Sequence, residues 1–362
     1  MPRLCPLGAA LLWLPLFRWG AASRLRSEAA TASTAGYLIA SFPNTQQVNY
    51  ARLPDTAWLQ LVPSTGITAP EALSVDPVNM RLFVADPPVG MVYWYQLDVS
   101  EDGRLTTDGV QHLAAHSVAA AGLACDSVGT LYMSGQLRGA SSMSGIFKQE
   151  AAAFAKDIPP VPPAIWTPPD TDLQALGPQL NLPGGLAVDA VHVYWGNAVV
   201  PQNGTSVVQA ASVPPNRSQM QAVAYQAALR VALRPLADDA NAVRGLALIP
   251  EGILYATSHG VHGVLLGNAG QGCGPSGVRC PLVAAMQDPT SLVWDGDGTV
   301  LVADRTAGSV FSFPSGTIQQ HHLEKVVDAH GINGLALLPE SEAKASAQKG
   351  GEGVMGWLFG SF

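Results

Sequence analysis

The chain has 362 residues, 48% hydrophobic and only 13% charged, with 37 glycines, 28 prolines and a formal net charge of −8. So many turn-forming residues suit a chain of short strands. The acidic balance offers no basic patch to neutralise phosphates, so nucleic acid is not an expected partner.

At the N-terminus Arg3 precedes the apolar run Leu7–Phe17, and Gly20, Ala21 and Ala22 supply small residues for cleavage before Ser23. This is the pattern of a secretory signal peptide over residues 1–22. The run is about half the roughly 20 residues that a membrane-crossing helix needs. Residues 23–35 are small, hydroxylated and Arg-containing, and are expected to form a disordered segment. The expected location is outside the cell or in the lumen of the secretory pathway; the alternative is a plastid lumen, reached through a bipartite leader.

From residue 36 onward, apolar runs of three to six residues alternate with Gly, Pro, Asp and Asn, the signal for short strands. The first is Tyr37–Ala40. Then come pairs: Ala72–Asp76 with Leu82–Ala85, Gly122–Asp126 with Leu131–Met133, Gly185–Asp189 with Val193–Trp195, Gly245–Leu248 with Leu254–Ala256, and Ser291–Asp295 with Val300–Ala303. A last single strand is Gly334–Leu337. Third strands are read at Val92–Tyr95, Val207–Gln209 and Ser309–Phe311, and fourth strands at Leu229–Leu233 and Leu323–Val327.

The first member of each pair recurs every 43 to 63 residues, the spacing of propeller blades, and no crossover helix recurs with it. The expected fold is therefore all-β, a six-bladed β-propeller over residues 36–339. Because the series opens on a second strand and closes on a first strand, Gly334–Leu337 should pair with Tyr37–Ala40 and close the ring without an open sheet edge. Residues 340–362 should form a disordered tail, in which Val354–Phe359 is too short to cross a bilayer.

Three further features fall in loops. Pro159–Pro163, with Pro168 and Pro169, should run extended rather than fold. Asn203 and Asn216 begin glycosylation sequons. Cys273 and Cys280 bracket a short loop that a disulfide would staple, whereas Cys125 occupies a core position equivalent to Val75 and Val188.

The phrases Gly184–Asp189 with Val193–Asn197, and Val300–Arg305, resemble NHL and YWTD-type repeats, and Asn333–Ala336 is similar to a phrase of the SMP-30/gluconolactonase group. The resemblance implies the propeller fold and, for Asp76, Asp126, Asp189 and Asp295, a role as turn carboxylates that bond neighbouring backbone. These phrases encode strands and turns, so they do not choose between a binding module and a hydrolase.

Loops joining fourth to first and second to third strands should converge at one axial mouth. The candidate ligand-binding residues there are Glu71, Asn197, Arg244, His259, Asp304, Arg305 and Asn333. The expected function is a secreted or lumenal binding or scaffold module for a protein or small molecule. In the SMP-30 and paraoxonase kind of propeller such positions hold a divalent metal; the analogous oxygens belong to Glu71, Asn197, Asp304 and Asn333, would suit calcium, and imply the alternative of a calcium-dependent lactonase or esterase.

Overall fold

The computed structural model describes residues 35–55, 57–139, 143–167, 180, 182–199, 206–216, 219–237, 242–266 and 280–345, and not the side chains of Ala222, Gln226 and Arg230. The proposed leader, Asn203, Cys273 and the apolar tail lie outside the described residues.

Six antiparallel sheets form the blades. Blade 1 consists of Leu335–Pro339, Gly36–Phe42, Gln47–Leu53 and Leu59–Val62, counted from the innermost strand outward. Blade 2 is Leu73–Asp76, Arg81–Asp86, Met91–Val99 and His112–His116, with Leu105–Thr107 added on the far half of the third strand. Blade 3 is Val118–Cys125, Leu131–Leu137, Met143–Gln149 and Ala164–Trp166. Blade 4 is Pro183–Val188, His192–Asn197, Val207–Ala211 and Leu233–Ala237. Blade 5 is Gly245–Ile249, Gly252–Thr257, Gly260–Leu265 and Leu282–Ala285, and blade 6 is Pro289–Trp294, Thr299–Asp304, Ser309–Pro314 and Glu324–Asp328. The two ends of the propeller meet in blade 1, where Leu38 pairs with Leu337 and Ala40 with Leu335. The ring closes as the order of the repeats required.

The second strands are continuously apolar because both of their faces are buried between blades. Tyr37 and Ile39 pack with Leu82 and Val84 of blade 2, while the alternating Leu38 and Ala40 pack with Leu301 and Ala303 of blade 6. The same alternation runs round the ring: Phe83 of blade 2 joins Leu123 and Met133 of blade 3, Tyr132 joins Val193 and Trp195, Tyr194 joins Ile253 and Tyr255, and Leu254 joins Val300 and Val302. Each such large apolar side chain contributes about 1.5–3 kcal/mol by leaving water. The core thus lies between neighbouring blades.

The turns after the innermost strands are held as expected. Asp76 accepts the Asn79 N–H at 3.1 Å, Asp126 those of Val128 at 3.1 Å and Thr130 at 2.9 Å, Asp189 those of Val191 at 2.8 Å and His192 at 2.7 Å, and Asp295 those of Asp297 and Thr299, both at 2.8 Å. Cys125 is half-buried and is the free cysteine among the described residues, and burial pushes its thiol well up from the ordinary range. That keeps it an unreactive neutral thiol.

The fourth strands differ from expectation. The stretch expected as the strand Leu229–Leu233 is mostly helix, Ala222–Ala232, and the strand follows it at Leu233–Ala237. Tyr225, Leu229 and Ala232 sit on one helical face and pack against blades 3 and 4, while Val223 and Val231 on the other face are more than four-fifths exposed at 84% and 87%. In blade 6 the fourth strand begins one residue later than Leu323, at Glu324. Among the described residues no helix is long and apolar enough to cross a membrane.

Candidate functional site at the axial mouth

The residue two places before the first leucine of each innermost strand is fixed by the same backbone bond in three blades. Glu71 donates its N–H to the Ala85 carbonyl at 3.0 Å, Arg244 to Ala256 at 2.9 Å and Asn333 to Ser41 at 3.0 Å. These bonds extend the pairing of first and second strands by one step and hold three polar side chains at one end of the axis. A cavity of about 510 Å³ runs from that end along the six innermost strands to Val75, Leu248, Trp294 and Leu337. Each innermost strand pairs on one side only, so its second edge faces the axis.

Close approach of the blades depends on glycine at the start of the strands. A Cβ on Gly334 would lie 2.0 Å from the Glu71 carbonyl oxygen, and one on Gly122 would lie 2.4 Å from that of Gly184. No side chain fits there without parting the blades.

Of the residues expected at the mouth, Glu71, Arg244, Arg305 and Asn333 line the cavity, whereas Asn197, His259 and Asp304 do not. His259 is exposed in a hairpin turn, where its N–H donates to the Thr257 hydroxyl at 3.2 Å. Asp304 is 2% exposed and faces the loops: its carboxylate accepts the N–H of Gln287 and that of Ala307, each at 2.9 Å. Asp86, at the equivalent place in blade 2, does the same for Thr68 at 2.7 Å and Ala69 at 3.0 Å. Asn197 ends the second strand of blade 4, is fully buried, and its carbonyl accepts the Val243 N–H at 2.9 Å. Asn197 and Asp304 end their second strands and His259 follows one, close to where the sequence put them, yet all three lie off the cavity wall.

One contributor escaped the sequence reading. Asp288, 15% exposed, lies between the two arginines: it accepts Arg305 Nε at 2.9 Å and an Arg305 terminal nitrogen at 2.8 Å, and it pairs with Arg244 Nη1. The Arg305 N–H also reaches the Asp288 carbonyl at 3.0 Å. Burial, and then the positive charge of Arg305, hold Arg244 below the usual arginine range. Across the mouth, burial pushes the Glu71 carboxyl up, the Asp86 charge adds to the rise, and Arg305 opposes it. Among the described residues neither the Glu71 carboxylate nor the Asn333 amide bonds a protein partner.

The donor set does not fit calcium. Glu71 and Asn333 face the cavity, but both Asp304 oxygens already accept backbone N–H groups, and two guanidinium groups line the same cavity. Glu71 and Asn333 together offer three side-chain oxygens, short of the roughly six to eight that calcium takes.

The fold and cavity define a six-bladed β-propeller with a polar axial mouth. No family model matches the sequence, and no curated protein matches it. Among solved structures the chain is similar to one in a nidogen/laminin complex, at 13% identity over 84% of this chain and 98% of that chain, with a TM-score of 0.53. It is also similar to a gluconolactonase from Xanthomonas campestris, at 15% identity over 83% of this chain and 90% of that chain, with a TM-score of 0.51. Likenesses of this size carry the fold alone.

Proposed function

We propose that the chain is a secreted or lumenal binding propeller that takes its ligand at the axial mouth. The observation that carries this reading is the cavity of about 510 Å³, within the range of small-molecule sites, whose rim presents Glu71 and Asn333 with no side-chain hydrogen bond among the described residues. Those groups stand ready for a ligand, while the acids beside them are engaged in holding loops. The nidogen/laminin complex supports a binding role for propellers of this shape. The signal-peptide pattern, the sequons at Asn203 and Asn216 and the Cys273–Cys280 pairing belong to this proposal as its secretory context.

The experiment is a small-molecule screen by thermal shift on the full chain and on Ala121→Trp. Ala121 is exposed on the cavity wall, so a tryptophan there obstructs the mouth without displacing core residues. Ligands that raise the melting temperature of the wild type and not of the obstructed variant support the reading. Ligands that stabilise both equally place binding elsewhere and refute it.

The alternative of a lactonase or esterase draws on the gluconolactonase likeness and on Glu71, a carboxyl of raised pKa at a cavity rim. Its test is turnover of lactones and aryl esters by the full chain. Hydrolysis lost in Glu71→Gln would favour the enzyme over the binding module.

A further inference from the structure

Around Asp288 the mouth holds two positive charges against one carboxylate. Arg244 and Arg305 come from neighbouring blades and share one carboxylate, Asp288, which meets Arg305 through Nε and a terminal nitrogen and Arg244 through Nη1. Neither guanidinium makes another ion pair among the described residues, so one anion stands against two fixed cations and the remaining guanidinium N–H groups bond nothing there. Both side chains stay partly open, at 36% and 49% exposure, while Asp288 sits behind them outside the cavity wall. An acid placed behind two arginines orients them and leaves their outer donors directed away from it, toward the cavity they line. A guanidinium presents its donors as a planar fork that matches a carboxylate.

We propose that the axial mouth is a receptor for a small organic monocarboxylate, held by Arg244 and Arg305, with its body extending down the cavity. This rests on the reading that the mouth binds a ligand. The Arg244–Asp288–Arg305 cluster carries one net positive charge, which matches a single carboxylate, and Glu71 on the same cavity wall repels a second negative charge. The wall selects the body. Free strand edges and small side chains such as Ser74, Ala187 and Ala247 offer it hydrogen bonds and little bulk, and the far end at Val75, Leu248 and Trp294 is apolar.

The test is calorimetric titration of the full chain with straight-chain carboxylates of two to eight carbons, the matching primary amides, and inorganic phosphate. The amides keep the shape and lose the charge. At least one carboxylate should bind about tenfold or more tightly than its amide, because a hydrogen bond between charged groups is stronger than one to a neutral amide. Phosphate should bind more weakly than that carboxylate, and Arg244→Gln and Arg305→Gln should each weaken the carboxylate about tenfold. Arg305→Lys, which keeps the charge and loses the fork, should recover part of the loss even where a Gln variant folds poorly. Amides that bind as well as carboxylates, or no carboxylate binding while neutral compounds from the screen still act at the mouth, overturn this proposal and leave the binding reading intact. Loss of all mouth ligands overturns both.

Discussion

The Ser41 hydroxyl donates to the backbone carbonyl of Glu71 at 2.6 Å, across the boundary between blades 1 and 2, and at the same time accepts the N–H of Gly334 at 2.8 Å. One hydroxyl therefore joins both ends of the propeller to the residue that carries a carboxylate into the mouth. Removing it in Ser41→Ala leaves a buried carbonyl and a buried N–H without partners, which costs about 1–3 kcal/mol. Urea unfolding should show a lower midpoint with an unchanged slope. A variant as stable as the wild type would show that this bond does not hold the blades together.

The raised pKa of Glu71 has a defined sign in stability. Its folded value lies above the unfolded 4.5, chiefly through burial, so the folded state holds the proton more tightly. Stability attached to this group is present below pH 4.5 and is lost as pH rises through the folded value. Glu71→Gln removes the ionisation and should melt above the wild type at pH 7, with the gap closing toward pH 4. A variant that melts lower at pH 7 would mean that attraction to Arg305 outweighs the cost of burial.

The Gly334 backbone passes so near Glu71 that an added methyl would lie 2.0 Å from its carbonyl oxygen. Gly334→Ala should therefore destabilise the ring by about 1–3 kcal/mol, the usual cost of forcing extra volume into a packed site. It should also weaken any mouth ligand, because parting blades 1 and 2 moves Glu71 and Asn333 apart. Chemical denaturation and ligand titration on the same variant check both effects.

Most of the fold was legible because the physics that forms it is local. Leu38 and Ile39 face different neighbours, so the strand must be apolar at every position, and each following turn needs a carboxylate at a fixed place, as at Asp126 and Asp295. The helix Ala222–Ala232 was missed because Leu229–Leu233 is dense enough in apolar residues to read as a strand; the spacing of Tyr225, Leu229 and Ala232 was the signal that distinguishes it. The mouth was legible only in part. Position after a second strand could not tell Arg305, which lines the cavity, from its neighbour Asp304, which turns to the loop amides. Asp288 precedes its strand in an irregular loop, where no periodicity reports which way a side chain faces, and only the fold shows that two arginines from different blades meet it.

Calcium supplies a direct check on the mouth. A tight site at 100 times its dissociation constant adds about 2.7 kcal/mol to stability. With Asp304 engaged by Gln287 and Ala307, and two arginines on the cavity wall, millimolar calcium should leave the melting temperature of the full chain unchanged. A clear rise that disappears in Glu71→Gln would show that the mouth gathers oxygens from elsewhere and would revive the calcium-dependent hydrolase.

Closure of the ring makes its stability a property of the whole. Leu338 is fully buried in the cluster that also holds Tyr37, Ile39 and Leu82, so it ties the last strand both to the first and to blade 2. Leu338→Ala should cost about 2–5 kcal/mol, as cavity-forming changes in cores do. Because Leu335–Pro339 is the innermost strand of blade 1, its loosening opens two inter-blade interfaces at once, those with blades 2 and 6. The expected result is one cooperative transition at lower temperature by calorimetry. A second, earlier transition alongside an unshifted main one would show that blade 1 detaches by itself, and that the remaining five blades stand without the closure.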